Sequence, residues 1–214
     1  PPSPHLPVAM KAPPKRTSRA APQRAPGRAK AGAASAKGAT CGKALADGRC
    51  DLPGHARLPR FSPLLHVGNQ YAAAHGDFDV VISTVCPRAL DGEPCPALTT
   101  HALHFEDGHG KEAEAEAAIA SKSIARGAAR VAKAIRAGQR TLVHCKWGQN
   151  RSGAICCAYA VLYLGWSASR AIAHLRAQNR KHRAYAGQSP MSNSCFNRIL
   201  KMMEASRKAV RARQ

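Results

Sequence analysis

Acidic residues are scarce in this chain. Only 12 Asp and Glu stand against 33 Lys and Arg in 214 residues, which gives a formal net charge of +21 at pH 7. The excess is spread along the chain, because residues 1–50 carry 10 basic and 1 acidic residue and the remainder carries 23 and 11. Such a charge favours polyanionic partners, namely nucleic acid, acidic phosphosubstrates or anionic lipid. Aromatic residues are also few, with 4 Phe, 4 Tyr and 2 Trp and no platform for stacking bases, which weighs against RNA.

Long hydrophobic runs are missing as well. The longest nearly apolar run, AICCAYAVLYLG at 154–165, is too short to span a bilayer and is typical of a buried helix. We therefore predict no transmembrane segment. Because the sequence opens without an apolar signal segment, its 8 cysteines do not indicate a secreted disulfide framework. An intracellular protein of the cytoplasm or nucleus is predicted.

The first part of the chain has almost no large apolar side chains. It consists mainly of Pro, Ala, Gly, Lys and Arg, and a segment of this composition cannot bury enough surface to offset the entropy of ordering. We predict a disordered basic tail over 1–56, a folded domain over 57–205 and a basic C-terminal tail over 206–214. The N-terminal tail also suits an organelle import signal or, through KAPPKR at 11–16, a nuclear one. Met10 is a candidate start of translation.

Strand and helix patterns alternate after the N-terminal tail, with order expected from about Leu58. Strands are predicted at 64–68, 79–85, 102–105 and 141–145, and helices at 69–75, 111–138, 151–164, 167–180 and 192–210. Gly138 is a natural stop for the second helix. The helix over 151–164 is apolar all round, which places it centrally. Alternation of this kind indicates an α/β layer architecture.

One connection carries the chemistry: TLVHCKWGQNRSG at 141–153 joins a predicted strand to the central helix. A sharp turn before a helix start presents several backbone N–H groups to one point, and such a nest binds anions. Arg151, in the first turn of the helix, can bind two phosphate oxygens with its planar guanidinium. Cys145 would lie beneath the phosphorus, where N–H dipoles and Arg151 favour the thiolate. A thiolate in line with a phosphorus is a nucleophile.

The stretch resembles the signature of the cysteine-dependent protein tyrosine phosphatase superfamily, which is His, Cys, five residues, Arg, then Ser or Thr. The size of the folded part resembles the dual-specificity branch. The resemblance implies an α/β fold with a central mixed, mostly parallel sheet flanked by helices, a catalytic domain over 57–205, and no cofactor or metal. It implies a shallow pocket that admits phosphotyrosine and phosphoserine/threonine of phosphoprotein substrates, since no segment resembles the loop that deepens the classical tyrosine-specific pocket.

The same resemblance implies residue roles. Cys145 would form a phosphocysteine intermediate and Arg151 would bind the phosphoryl group. His144 would help to hold the thiolate, and the Ser152 hydroxyl would ease its departure. The phosphate-binding loop would consist of Lys146, Trp147, Gly148, Gln149, Asn150 and Arg151.

The leaving group needs a proton from a carboxylic acid on another loop. HFEDGHG at 104–110 follows a predicted strand and offers Asp107, which lies 38 residues before Cys145. The family spacing is shorter, and the acidic extension of the next helix (112–116) could absorb the difference. We predict Asp107 as the general acid, with adjacent Glu106 as the alternative.

Two other functions stay open. Asn150 before the arginine, with Ser-Gly after it, is also similar to the RNA 5′-triphosphatase branch, and the net charge suits an RNA end. A non-catalytic module that holds phosphorylated partners is the second. Lys146 would equally suit a polyanionic inositol lipid.

The remaining cysteines and histidines carry weaker hypotheses. Cys86 ends a strand expected beside that of the nucleophile, so it is either a resolving thiol for Cys145 or a small buried residue. Cys156 and Cys157 lie on the apolar helix and are predicted to be core. The cluster of His101, His104 and His109 is more simply explained by loop histidines than by a metal site.

Overall fold

A five-stranded mixed sheet forms the centre of the fold. The computed structural model describes residues 54–75, 77–85, 99–108, 116–182 and 189–214, except the side chains of 74, 75, 99 and 180–182. The strands are β1 (His55–Arg57), β2 (Leu65–Gly68), β3 (Val80–Ser83), β4 (Thr99–Ala102) and β5 (Thr141–His144), in the order β1-β2-β5-β3-β4. Only the β1–β2 pair is antiparallel. The predicted mostly parallel α/β sheet is confirmed.

Helices connect and flank these strands. They are α1 (Ala72–His75), α2 (Ala117–Arg136), α3 (Arg151–Tyr163), α4 (Ala168–His182) and α5 (Ser194–Arg211). All residues of β2, β3 and β5 are buried, as expected of parallel strands covered on both faces. α2 ends at the predicted place, and Gly138 adopts a positive φ of 73° just beyond it.

Helix α3 is the central helix that its sequence predicts. It packs against α2, α4 and α5 as well as the sheet, and residues 152–161 are all buried. Gly127 of α2 allows the closest approach, because a Cβ there would lie only 2.7 Å from Cδ1 of Ile155. The start of α3 is therefore held from several sides, which fixes the loop that precedes it.

Several boundaries differ from the sequence expectations. The strand predicted at 102–105 is wrong by three residues, since β4 pairs with β3 from Val80↔Thr99 to Ser83↔Ala102 and ends where β3 ends. Leu103 and Phe105 are buried without belonging to the strand, which explains the misleading apolar alternation. Order begins earlier than Leu58, because β1 pairs with β2 although it has only one buried residue. Helix α5 continues to Arg211, so most of the predicted C-terminal tail is helical.

Some predictions fall on residues that the structure does not describe. These are the tail up to 53, Met10, Cys86, His109 and the part of the acidic extension (112–116) that precedes Glu116. In the part of the chain that is described, no helix is long and apolar enough to cross a bilayer.

Candidate active site

Parallel pairing brings three strand ends together at one edge of the sheet. Gly68, His144 and Ser83 lie in register at the carboxyl ends of β2, β5 and β3. Thr84, the residue after β3, donates from its N–H and its hydroxyl to the His144 carbonyl, at 3.0 and 3.2 Å. Cys145 follows His144 directly, so this edge of the sheet positions the candidate nucleophile.

The loop after β5 folds around the Cys145 sulfur. Cys145 is buried, and its Sγ accepts a hydrogen bond from the Gly148 N–H at 3.0 Å and from the Ser152 hydroxyl at 3.4 Å. Gly148 has a φ of +69°, in the left-handed region that favours glycine, and this conformation supports the turn of the loop. Two hydrogen-bond donors, one from the backbone and one from a side chain, are therefore directed at the same sulfur atom.

Arg151 begins α3 and joins three segments of the chain. Its Nη1 donates to the carbonyl oxygens of Thr84 and Phe105, at 3.2 and 3.3 Å. Its Nε is buried and meets no hydrogen-bond partner among the described residues. The guanidinium is thus held by two backbone carbonyl groups, and its Nε–H is not used by the described protein groups.

His144 is buried beside the nucleophile. Burial lowers its pKa to about 4, against a smaller opposing effect of a hydrogen bond with the Cys145 backbone. The imidazole is therefore neutral at pH 7 and brings no positive charge to the thiolate.

Asp107 is held next to the start of α5. Its Oδ1 accepts from Asn193 Nδ2 at 2.8 Å, and the same amide donates to the Gly108 carbonyl at 3.0 Å. Phe105, two residues earlier, contacts Arg151, so the Asp107 segment lies against the loop of the nucleophile. The alternative acid, Glu106, is exposed and pairs with His104 at 3.0 Å. The contacts favour Asp107 over Glu106.

Asn150 and Asn193 form a bridge that the sequence did not reveal. Asn150 Oδ1 accepts from the Ser192 N–H at 2.9 Å and from the Asn193 N–H at 3.4 Å. Asn193 Oδ1 in turn caps α5, accepting from Cys195 N and Phe196 N. An Asn before a helix is a recognisable capping signal, but its second contact to Asp107 depends on tertiary folding.

A glycine permits this bridge. A Cβ on Gly153 would lie 3.0 Å from the sulfur of Met191, so glycine allows the segment before α5 to approach the start of α3. Met191 itself has a φ of +60°.

The other residues of the loop lie at its rim. Lys146 is exposed, with its Nζ 5.2 Å from the centre of the half-buried Trp147 ring. Gln149 is half-buried, whereas the buried Asn150 directs its side chain oxygen to Ser192. Asn150 is one of the six predicted phosphate-binding residues, but its side chain oxygen accepts hydrogen bonds from the protein backbone instead.

The structure also bears on the hypotheses for the remaining cysteines and histidines. Cys156 and Cys157 are fully buried core residues, as predicted, and burial raises the pKa of both thiols. His101 lies in β4 and His104 beyond it. No three potential metal ligands come together in the described ranges.

Comparisons with known proteins agree with this geometry. The family model for the dual specificity phosphatase catalytic domain matches residues 77–205. A crystal structure of a mouse dual specificity phosphatase complexed with zinc tungstate is 23% identical, with a TM-score of 0.56 over 74% of this chain and 91% of that one. Human DUSP28 is 22% identical, with a TM-score of 0.52 over 73% of this chain and 96% of its own. PTPMT1 is 17% identical, with a TM-score of 0.53 over 75% and 99%.

No curated protein sequence matches the chain. The family match covers more than half of it, and the loop at Cys145 stands within that match. The chain belongs to the dual specificity phosphatase family, whose members are cysteine-based phosphatases that hydrolyse phosphate monoesters.

Proposed function

We propose that the chain is a dual-specificity protein phosphatase that hydrolyses phosphotyrosine and phosphoserine/threonine through a phosphocysteine intermediate. The observation that carries this proposal is the convergence on Cys145. Its sulfur accepts hydrogen bonds from the Gly148 N–H and the Ser152 hydroxyl. Arg151 is fixed at the start of α3, the helix that contains Ser152. A nucleophile, an anion cradle and a guanidinium in one loop are the parts that phosphoryl transfer needs.

In the first step, the Cys145 thiolate attacks the phosphorus of the substrate. The S–P bond forms as the bond from phosphorus to the leaving oxygen breaks, and that oxygen takes the electron pair. Asp107, in its protonated form, gives the leaving oxygen its proton. Asn193 acts as a positioning residue, because its amide holds Oδ1 of Asp107 and leaves Oδ2 for the proton.

In the second step, water attacks the phosphorus of the thiophosphate. The Asp107 carboxylate accepts the proton of the water, the S–P bond breaks and inorganic phosphate leaves. The Ser152 hydroxyl, 3.4 Å from the sulfur, stabilises the departing thiolate. Throughout both steps Arg151 neutralises the charge on the phosphoryl oxygens.

The structure of the mouse relative contains a tetrahedral oxyanion. It was crystallised with zinc tungstate, and tungstate is a tetrahedral oxyanion of the same shape as phosphate. We expect the Cys145 loop of this chain to bind a tetrahedral oxyanion, since a nest of N–H groups at a helix start favours such anions.

Contacts at Asn150 bear on the RNA 5′-triphosphatase alternative. Its side chain oxygen holds Ser192 and Asn193, which accounts for an Asn before Arg151 without an RNA substrate. The protein substrate is therefore the better proposal.

An oxidation-sensitive thiolate also suits a reducing intracellular compartment.

The test measures phosphate release from a phosphotyrosine peptide, a phosphothreonine peptide and a 5′-triphosphate RNA in parallel, with chelator present. Turnover of both peptides that disappears in Cys145→Ser is the expected result. Preference for the RNA would replace the proposal by the triphosphatase. Tight binding of the peptides without turnover would indicate the non-catalytic module.

A quench experiment tests the intermediate. Denaturing the enzyme during turnover of a ³²P-labelled peptide should leave label on the protein, attached to the peptide that contains Cys145. Steady turnover with no protein-bound label at any time would contradict the phosphocysteine mechanism.

A further inference from the structure

A groove lies between α2 and α5, on residues that the catalytic proposal does not use. Its volume is about 520 Å³, and it is lined by Ser121, Ala125, Leu162, Met202, Met203, Ser206, Arg207, Val210 and Arg211. The groove continues to the far part of α5, whereas the residues around Cys145 involve the helix start at Asn193. It is therefore a surface feature separate from the Cys145 loop.

The floor of the groove is apolar and open to solvent. Met202 is 63% exposed and Val210 is 57% exposed, although both belong to a helix that packs on the core. Met202, Ser206 and Val210 follow one another at intervals of four residues, so they form one stripe along α5. Paired methionines adapt to varied apolar partners, since the thioether chain is flexible and polarisable.

Positive charge lines the groove on the α5 side. On α5, Arg207 and Arg211 line the groove. On α2, Lys122 and Arg126 are exposed but do not line the groove, which α2 contacts through Ser121 and Ala125. The α2 sequence contains no carboxylate.

The one carboxylate of α5, Glu204, interacts with the charge of Arg207, but its hydrogen bonds go to other groups. Glu204 accepts from the Ala168 N–H at 2.8 Å and pairs with Lys208 at 2.6 Å. Among the lining residues there are two arginines and no acid. An apolar floor with a cationic rim along α5 is complementary to a helix with one apolar face and an acidic flank.

We propose that the groove between α2 and α5 binds an acidic amphipathic helix of a partner protein. The basic charge of this chain excludes two other occupants of the groove, namely a second copy of the chain and its own N-terminal segment. A second copy would place one chain of net charge +21 against another, and residues 1–50 carry 10 basic residues against 1 acidic residue with few large apolar side chains. A flat bilayer would not fill a recess between two helices. The proposal does not depend on the phosphatase activity.

The binding experiment uses a fluorescent helical peptide of about 18 residues, long enough to form helix, with leucines on one face and glutamates elsewhere. Two controls accompany it: a scrambled peptide of the same composition, and a peptide in which lysines replace the glutamates. We expect fluorescence anisotropy to show saturable binding of the first peptide, at least about tenfold weaker binding of the scrambled one, and none of the lysine peptide.

Matched variants locate the site. Met202→Glu and Val210→Glu should each weaken binding at least about tenfold, since each places a carboxylate on the apolar floor. Ala205→Glu adds the same charge at an exposed position of α5 outside the groove, and should change affinity less than about twofold. Thermal unfolding followed by circular dichroism shows whether each variant is folded. Because the two groove variants lie eight residues apart, a folding defect in one leaves the other as the test.

Three results would overturn the proposal. Equal binding of the scrambled peptide would show that charge alone attracts it. Equal weakening by Ala205→Glu would remove the groove from the explanation. Binding to phosphatidylserine vesicles that depends on Met202 and Val210, without peptide binding, would assign the surface to a membrane.

Discussion

The two edges of the same sheet use their polar groups in opposite ways. At the carboxyl edge, where β2, β5 and β3 end, the Gly148 N–H and the Ser152 hydroxyl donate to Cys145 Sγ, and Arg151 donates to the Thr84 carbonyl. At the amino edge, polar groups pair with one another. The Asp79 N–H donates to the Arg140 carbonyl at 2.9 Å, and the Arg140 N–H donates to Asp79 Oδ2 at 2.7 Å.

Apolar and aromatic contacts complete the amino edge. The Arg140 guanidinium lies 5.3 Å from the centre of the Phe78 ring, and the buried His66 ring lies 5.3 Å from the same ring. Groups that satisfy each other contribute to stability, whereas groups that converge on one reactive atom contribute to binding and catalysis. Parallel strands produce this division, because ligands of open α/β sheets bind beyond the carboxyl ends of the strands.

The largest effect is expected at the carboxyl edge, from Arg151→Lys. Lysine keeps the charge but loses the planar pair of donors, so kcat for a phosphotyrosine peptide should fall about 10³-fold. Steady-state kinetics measures this. Arg170→Lys, on an exposed arginine stacked on Trp166 at 3.8 Å, is the control and should retain normal turnover. A fall of equal size in both variants would contradict a special role for Arg151.

Asp107→Asn should lower kcat about 10²-fold for substrates with poor leaving groups, because the asparagine cannot supply a proton. Aryl phosphates with acidic leaving groups should be less affected. Glu106→Gln removes the neighbouring carboxylate, which is exposed and paired with His104, and should change little. A larger fall in kcat for Glu106→Gln than for Asp107→Asn would show that Glu106, and not Asp107, is the general acid.

His66→Phe tests the amino edge through pH. Burial first, then the charges of His55, Arg140 and Arg57, lower the pKa of His66 to about 3. In the unfolded chain His66 binds a proton as the pH drops below about 6.5, whereas in the folded chain it stays neutral down to about pH 3. The free energy of unfolding therefore falls as the pH drops from 6.5 toward 3.

One such histidine should cost about 2 kcal/mol between pH 7 and pH 5. Urea unfolding at both pH values should show this loss reduced in His66→Phe and unchanged in His104→Gln, where the residue is exposed. An identical pH dependence in wild type and His66→Phe would show that His66 does not control it.

The smallest effect is expected from Asp79→Ala, which leaves the Arg140 N–H without its acceptor. The free energy of unfolding should fall by about 1 kcal/mol, while kcat stays unchanged. Asp77 lies 3.7 Å from Arg140 but its side chain is 93% exposed, so Asp77→Ala should cost under about 0.5 kcal/mol. Loss of activity in Asp79→Ala would show that the two edges are coupled.

Most of the fold could be predicted because the periodic patterns were strong. The apolar strands around Val81 and Leu142 and the all-apolar helix α3 stand where the sequence placed them. β4 was misplaced because Leu103 and Phe105 are buried after the strand has ended. β1 was not predicted because its single buried residue, Ala56, produces no periodic pattern of apolar residues in the sequence. In both cases pairing with a neighbouring strand, which is a tertiary interaction, set the boundary.

The sequence by itself determined that Cys145, Arg151 and Ser152 lie close together, since they belong to one short segment whose spacing places them at one helix start. Tertiary structure decided which distant groups reach that loop. Asn193 touches Asp107 from 86 residues away, and Asn150 joins Ser192 across 42. Burial likewise decided that His144 stays neutral, with a pKa of about 4. Local spacing fixes neighbours along a helix or turn, whereas contacts between segments and loss of water depend on how the whole chain packs.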